Sequence, residues 1–143
     1  MTAVLTALQA HQQIEEFANN APTEMRFIPD GTMTPGKWIR QGDIYLQALE
    51  EIPPAYDKEI FERQLAPGES RGSRHVIEGN VKLFIPSKPG NRNDVLVGPV
   101  IVSKERCVLT HPEHAHFSLP AGVISQVYYQ MDARQAERTR ARD

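Results

Sequence analysis

Three of the chain's five histidines fall within six residues, in the stretch Thr110-His111-Pro112-Glu113-His114-Ala115-His116. Imidazole both ligates transition metals and exchanges protons near neutral pH, so chemistry is sought here first. If the segment after Pro112 is extended, His114 and His116 point to one face, because strand side chains alternate with period two, and the two could chelate one ion. Zinc and non-haem iron sites take further ligands from distant segments, and His75, His111, Glu113, Glu78 and Cys107 are the candidates. His111 is oddly spaced from His114 and is followed by a proline that interrupts pairing, so it must reach a shared site from a turn. The expected metal set is thus His114, His116, His75 and His111, with divalent zinc or iron as the cofactor. The competing reading makes these loop and strand-end histidines, hydrogen-bonded to backbone or solvent, with no cofactor.

The elements that would position them are short strands. The 143 residues suit a single domain, and 11 prolines and 9 glycines punctuate the chain every few residues. Strict alternation of Ile44, Leu46 and Ala48 after Gly42-Asp43 predicts a strand. His75-Val76-Ile77 and Val81 to Ile85, joined by Glu78-Gly79-Asn80, read as a hairpin. Val95 to Val102, Glu105 to Thr110 and Val123 to Met131 are rich in β-branched or aromatic residues. Phe27-Ile28 is a possible short strand among turn signals, and the stretch from Tyr56 to Leu65 reads equally as a strand or a helical turn. Residues 2 to 18 carry the one helical pattern, Leu5, Leu8, Ile14 and Phe17, with Thr2 as N-cap and Pro22 as a stop. The expected architecture is mainly β: a small barrel or sandwich of short antiparallel strands over 22–133, an N-terminal amphipathic helix over 1–21, and a basic, flexible tail over 134–143.

Composition narrows the function classes. A formal charge of −2 gives no global drive toward nucleic acid or anionic membrane. With one cysteine, Cys107, no intramolecular disulfide can form, and a reducing cytoplasm is the expected home. Cys107 lies in the strand-like Arg106-Cys107-Val108-Leu109 and reads as a buried thiol. No apolar run approaches the roughly 20 residues that span a bilayer. There is no P-loop, dinucleotide fingerprint, C-x-x-C or G-x-S-x-G. Arg63, Arg71, Arg74, Lys88 and Arg92 lie in or near loops that could share one rim and touch phosphates, which keeps phosphate or nucleic-acid binding as a third and minor reading.

Three resemblances rest on these residues. His114-Ala115-His116 and Leu119-Pro120-Ala121-Gly122-Val123 resemble pieces of the cupin barrel motifs, which place an H-x-H pair and a P-x-G turn around a metal. His116-Phe117-Ser118-Leu119 is similar to one copy of the H-apolar-[ST]-apolar pattern of two-histidine phosphoesterases, while His75-Val76-Ile77-Glu78 has Ile77 at the hydroxyl position. A broader similarity spans residues 40 to 130. Arg40-Gln41-Gly42-Asp43-Ile44, the Leu65 to Gly79 stretch with its His75-Val76, Thr110 to His114, Leu119 to Gly122 and Val127-Tyr128-Tyr129-Gln130 resemble the ordered motifs of a family of small uncharacterised bacterial and phage proteins. That resemblance implies a compact β domain with histidines at two meeting loops, and no activity.

The expectation is a small cytoplasmic binding or accessory module with a histidine-lined loop site, its partner a protein or small ligand, with a homo-oligomer allowed. The alternative is a small cupin-like metal-dependent enzyme that uses the His111 to His116 cluster. The two separate on whether the 67-to-75 and 110-to-116 loops meet.

Overall fold

The computed structural model describes residues 24–88 and 96–130. Ten strands follow in order: β1 Met25–Phe27, β2 Trp38–Gln41, β3 Ile44–Leu49, β4 Lys58–Ile60, β5 Val76–Glu78, β6 Val81–Ile85, β7 Val97–Ser103, β8 Cys107–Thr110, β9 His116–Leu119 and β10 Ile124–Tyr129. The expected N-terminal helix and basic tail lie outside the described residues. No helix among the described residues is long and apolar enough to cross a membrane.

The strands form two sheets, ordered β1-β9-β8-β5 and β2-β3-β10-β7-β6-β4. Neither order closes on itself, so the barrel-or-sandwich alternative resolves to two open sheets. Both feed one buried cluster: Ile77, Leu109, Phe117 and Leu119 from the first, Ile44, Leu46, Leu83, Ile101 and Val127 from the second. The alternation in β3 explains its share, since Ile44, Leu46 and Ala48 are buried while Tyr45, Gln47 and Leu49 are half-buried on the other face. One pairing departs from the expected antiparallel pattern: β1 runs parallel to β9. Parallel partners need a long connection rather than a tight turn, and most of the chain lies between these two.

The expected hairpin of residues 75 to 85 is not formed. β5 pairs with β8 and β6 pairs with β7, in different sheets. The two halves form a bent ribbon, β5-β6 against β7-β8, that crosses from one sheet to the other at Gly79-Asn80 and Lys104-Glu105-Arg106. Gly79 is required at the bend, because it holds φ 124° and a Cβ there would stand 3.0 Å from that of Cys107. Asn80 O accepts the amides of Lys104 and Glu105 at 2.9 and 3.4 Å, which ties the two bends together.

Pro99 lies inside β7, which has neighbours on both sides, although proline cannot donate to a ladder. The register of β10 against β7 shifts between Gln126 and Tyr128, opposite this point. The buried Gln126 amide donates to Gly98 O at 2.7 Å, filling the gap in the ladder with a side chain.

Candidate functional site

The site begins at the turn between β2 and β3. Gln41 pairs with Ile44, leaving Gly42-Asp43 as a two-residue connection in which Gly42 takes φ 58°. Gln41 is in phase with the inward residues Ile39 and Ile44, so its amide enters the protein. There Nε2 donates to Leu109 O at 3.0 Å and to Ala115 O at 2.8 Å. Both amide hydrogens are thereby used, and Oε1 must be the acceptor that faces Nδ1 of His75 at 2.8 Å.

This fixes His75, which is wholly buried. Nδ1 donates to Gln41, while Nε2 lies 2.8 Å from Oδ1 of Asp43, whose side chain is 65% exposed. A carboxylate only accepts, so this contact becomes a hydrogen bond when a proton is held between Nε2 and Oδ1. Burial is the main influence on His75 and pushes its pKa below the ordinary imidazole value, with the hydrogen bond to Asp43 opposing it.

His75 and His111 sit one step beyond the Val76–Thr110 pair of β5 and β8, which puts them opposite each other, ring centroids 4.3 Å apart. His111 stacks in turn on His114 at 4.6 Å, making a column of three imidazoles. Nε2 of His111 donates to Gly72 O at 3.1 Å, and Nδ1 accepts the backbone amides of Glu113 and His114 at 3.0 and 3.2 Å. The ring is therefore neutral. Burial lowers its pKa, and a proton on Nδ1 would break the turn that those two amides close.

The same turn corrects the expected face shared by His114 and His116. Residues 112 to 114 form a bend rather than an extended segment, and β9 starts only at His116. His114 is exposed, whereas His116 is buried and its Nε2 donates to His111 O at 3.1 Å. Among the described residues no group of three or more His, Cys, Asp or Glu side chains is arranged to hold a metal ion. Cys107 and Glu78 lie at the far end of the β5–β8 pair, about 10–13 Å along the strands from the column. The Cys107 thiol is buried and pushed up to about 11 by that burial.

The expected meeting of the two loops is observed. Gly72 in the short 3₁₀ turn Arg71–Ser73 carries the carbonyl bound by His111, and Arg71 lies 3.9 Å from Glu113 across the surface. The cationic rim is less uniform than expected: Arg63 donates to Val81 O at 3.3 Å, Arg71 faces Glu113, and Arg92 lies outside the described residues.

Besides the Arg71–Glu113 pair, the accessible groups at this site are the Asp43 carboxylate and the His114 ring. They flank Gly42, where a Cβ would stand 2.7 Å from Nε2 of His114 and 3.3 Å from Cε1 of His75. No hydrogen bond from another described residue reaches the His114 ring. On the outer side Arg40 donates through Nε to Gly42 O at 2.7 Å and through Nη2 to Gln130 Oε1 at 3.0 Å, bracing the turn.

A family described as Domain of unknown function (DUF8820) matches residues 40–130. The chain belongs to this family. No curated protein and no solved structure matches it. The DUF8820 stretch opens at Arg40 and ends at Gln130, the two residues whose side chains bond across the turn, and it contains the whole site. Gln41, Gly42 and Asp43 were not among the expected site residues. Their signal in sequence is the Arg40-Gln41-Gly42-Asp43 motif itself, a polar pair around a turn glycine directly before a core strand.

Proposed function

We propose that this DUF8820 protein is a small cytoplasmic binding module whose recognition surface is the rim around Gly42, with Asp43 and His114 as the groups that meet the ligand. The observation that carries this reading is the division of labour at the site. Gln41, His75 and His111 use both of their side-chain hydrogen-bonding ends within the protein, while Asp43 and His114 stand on that rigid support facing solvent. Fixed polar groups beside a glycine that leaves the backbone open are what a selective polar contact needs. A ligand bearing both a donor and an acceptor matches the carboxylate and the imidazole. The bacterial or phage source and the motif pattern drawn from the wider resemblance belong to this same reading.

The experiment follows side-chain ¹⁵N resonances of the histidines while imidazole, acetate, phosphate and ethylenediamine are added in turn. Binding is expected to move His114 and leave His75 in place, and Asp43→Asn is expected to weaken it. If none of these probes moves His114, the rim is not a recognition surface.

A second reading, a small metal-dependent enzyme, is favoured by one observation, the meeting of the two histidine-bearing loops. A metal would here start from the accessible groups His114 and Asp43, and a third ligand would join them only after side chains move. Zinc or iron at near one equivalent in untagged protein, lost in both His114→Ala and His116→Ala, supports it. Metal lost in His114→Ala and kept in His116→Ala places the ion at the Gly42 rim instead.

A further inference from the structure

Trp38 opens β2 on the outer face of the six-stranded sheet and is 53% exposed. Its register partner is Gln47 of β3, and β10 lies on the far side of β3. Side chains two strands apart start about 9.5 Å from one another. Yet the Trp38 and Tyr128 ring centroids are only 5.2 Å apart, and Tyr45 meets the indole edge-on at 6.4 Å. The indole therefore leans across β3, resting on the sheet with its other side open to solvent.

Beside it, at the opposite end of β3 from the histidines, runs an open groove walled by Pro35, Pro53 and Leu49 and edged by Gln47, Glu50 and Glu51. Gln47 lines the groove and is the register partner of Trp38, so platform and groove adjoin. Prolines and paired strands make the walls stiff, which lowers the ordering cost of binding.

We propose that this surface binds a neutral saccharide, one ring stacked on Trp38 and its hydroxyls donating to Glu50, Glu51 and the Gln47 amide. A sugar ring has an apolar face that an indole matches and a rim of hydroxyl donors that carboxylates accept. A nucleic-acid strand would also stack, but its phosphates would meet Glu50 and Glu51. Arg40, two residues along β2, is held by Gly42 O, Gln130 and the ring of Tyr45, and among the described residues Lys37 beside Trp38 is the other cation of this stretch. The proposal is independent of the histidine rim.

Trp38 is the chain's single tryptophan, so its emission reports on this site alone. The test titrates the full chain with cellopentaose and with penta-N-acetylchitopentaose up to about 20 mM, following emission and acrylamide quenching. A saturable shift and protection from the quencher are expected with at least one sugar. Glu50→Gln combined with Glu51→Gln should weaken that affinity by roughly threefold or more, because a carboxylate accepts more strongly than an amide. Trp38→Ala should abolish the heat of binding in calorimetry. Unchanged emission with both sugars overturns the proposal, as does undiminished affinity in the double glutamine variant. Tighter binding of oligothymidylate than of either sugar would assign the platform to single-stranded nucleic acid instead.

Discussion

Replacing Gln41 by leucine keeps the volume of a fully buried side chain and removes three hydrogen bonds, to Leu109 O, Ala115 O and His75 Nδ1. Stranding a buried polar group costs about 1–3 kcal/mol. The two carbonyls, each with a second lone pair, fall at the low end, and the donor of a wholly buried imidazole falls higher, for a gross loss of about 4 kcal/mol. Better burial of leucine returns about 1 kcal/mol, so the net loss is about 3 kcal/mol against the 5–15 kcal/mol of an ordinary domain. With a urea m-value near 2 kcal/mol/M, the unfolding midpoint should fall by about 1.5 M at unchanged m. Gln41→Glu is the companion. It keeps an acceptor for His75 but turns a further oxygen toward two carbonyls, and acid relieves it by protonating the new carboxyl and the imidazole. Its deficit relative to wild type should therefore shrink from pH 8 to pH 5.5. A midpoint shift below about 0.5 M for Gln41→Leu, with strand content intact by circular dichroism, would refute the view that this amide organises the site.

Other perturbations probe the same network and its surroundings. His75 and His111 titrate below the ordinary value of 6.5, so the unfolded chain binds more protons just below that pH; stability held above it should fall as pH drops through the lowered native values. Urea midpoints at pH 8 and 5.5 measure this, and an equal or higher midpoint at pH 5.5 contradicts it. Gly42→Ala forces a side chain onto φ 58° and into the edge of His114. It should cost about 1–2 kcal/mol from the backbone alone, and because the exposed ring can swing aside, His114 should lose its upfield ring-current shift from His111. Cys107 is 1% exposed and its thiol is pushed up to about 11, so iodoacetamide should label it only after unfolding; rapid native labelling would show that the bend at Gly79 opens.

What the sequence made legible follows from which interactions are local. The alternation of Ile44, Leu46 and Ala48 is a local record of one buried face, and it located β3 directly. The turn residues Glu78-Gly79-Asn80 are equally local and marked a change of direction, but nothing in them states which strand lies alongside. That partner is set by Cys107, 28 residues later, which packs on Gly79 and carries β8, and so a bend between sheets read as a hairpin within one. β9 went unread because His116-Phe117-Ser118-Leu119 is only four residues long and has no β-branched side chain, and its polar His116 and Ser118 are buried along with Phe117 and Leu119.

The histidine cluster shows the same boundary from the side of chemistry. Counting residues from His114 to His116 assumes that each imidazole is free to serve a ligand. The backbone has prior claims here. His111 is followed by Pro112, which brings no amide of its own to the turn, and the next two amides converge on Nδ1 of His111 as they would on a capping side chain. That contact bends the chain, turns His114 outward and delays the strand to His116, whose own ring is taken by the carbonyl of His111. A histidine placed directly before a proline-led turn is thus already a structural acceptor. The ring of the cluster left open to the proposed contact is His114, the one that caps nothing, and its neighbour across Gly42 is a carboxylate from a motif more than seventy residues earlier, which spacing within the cluster could not supply.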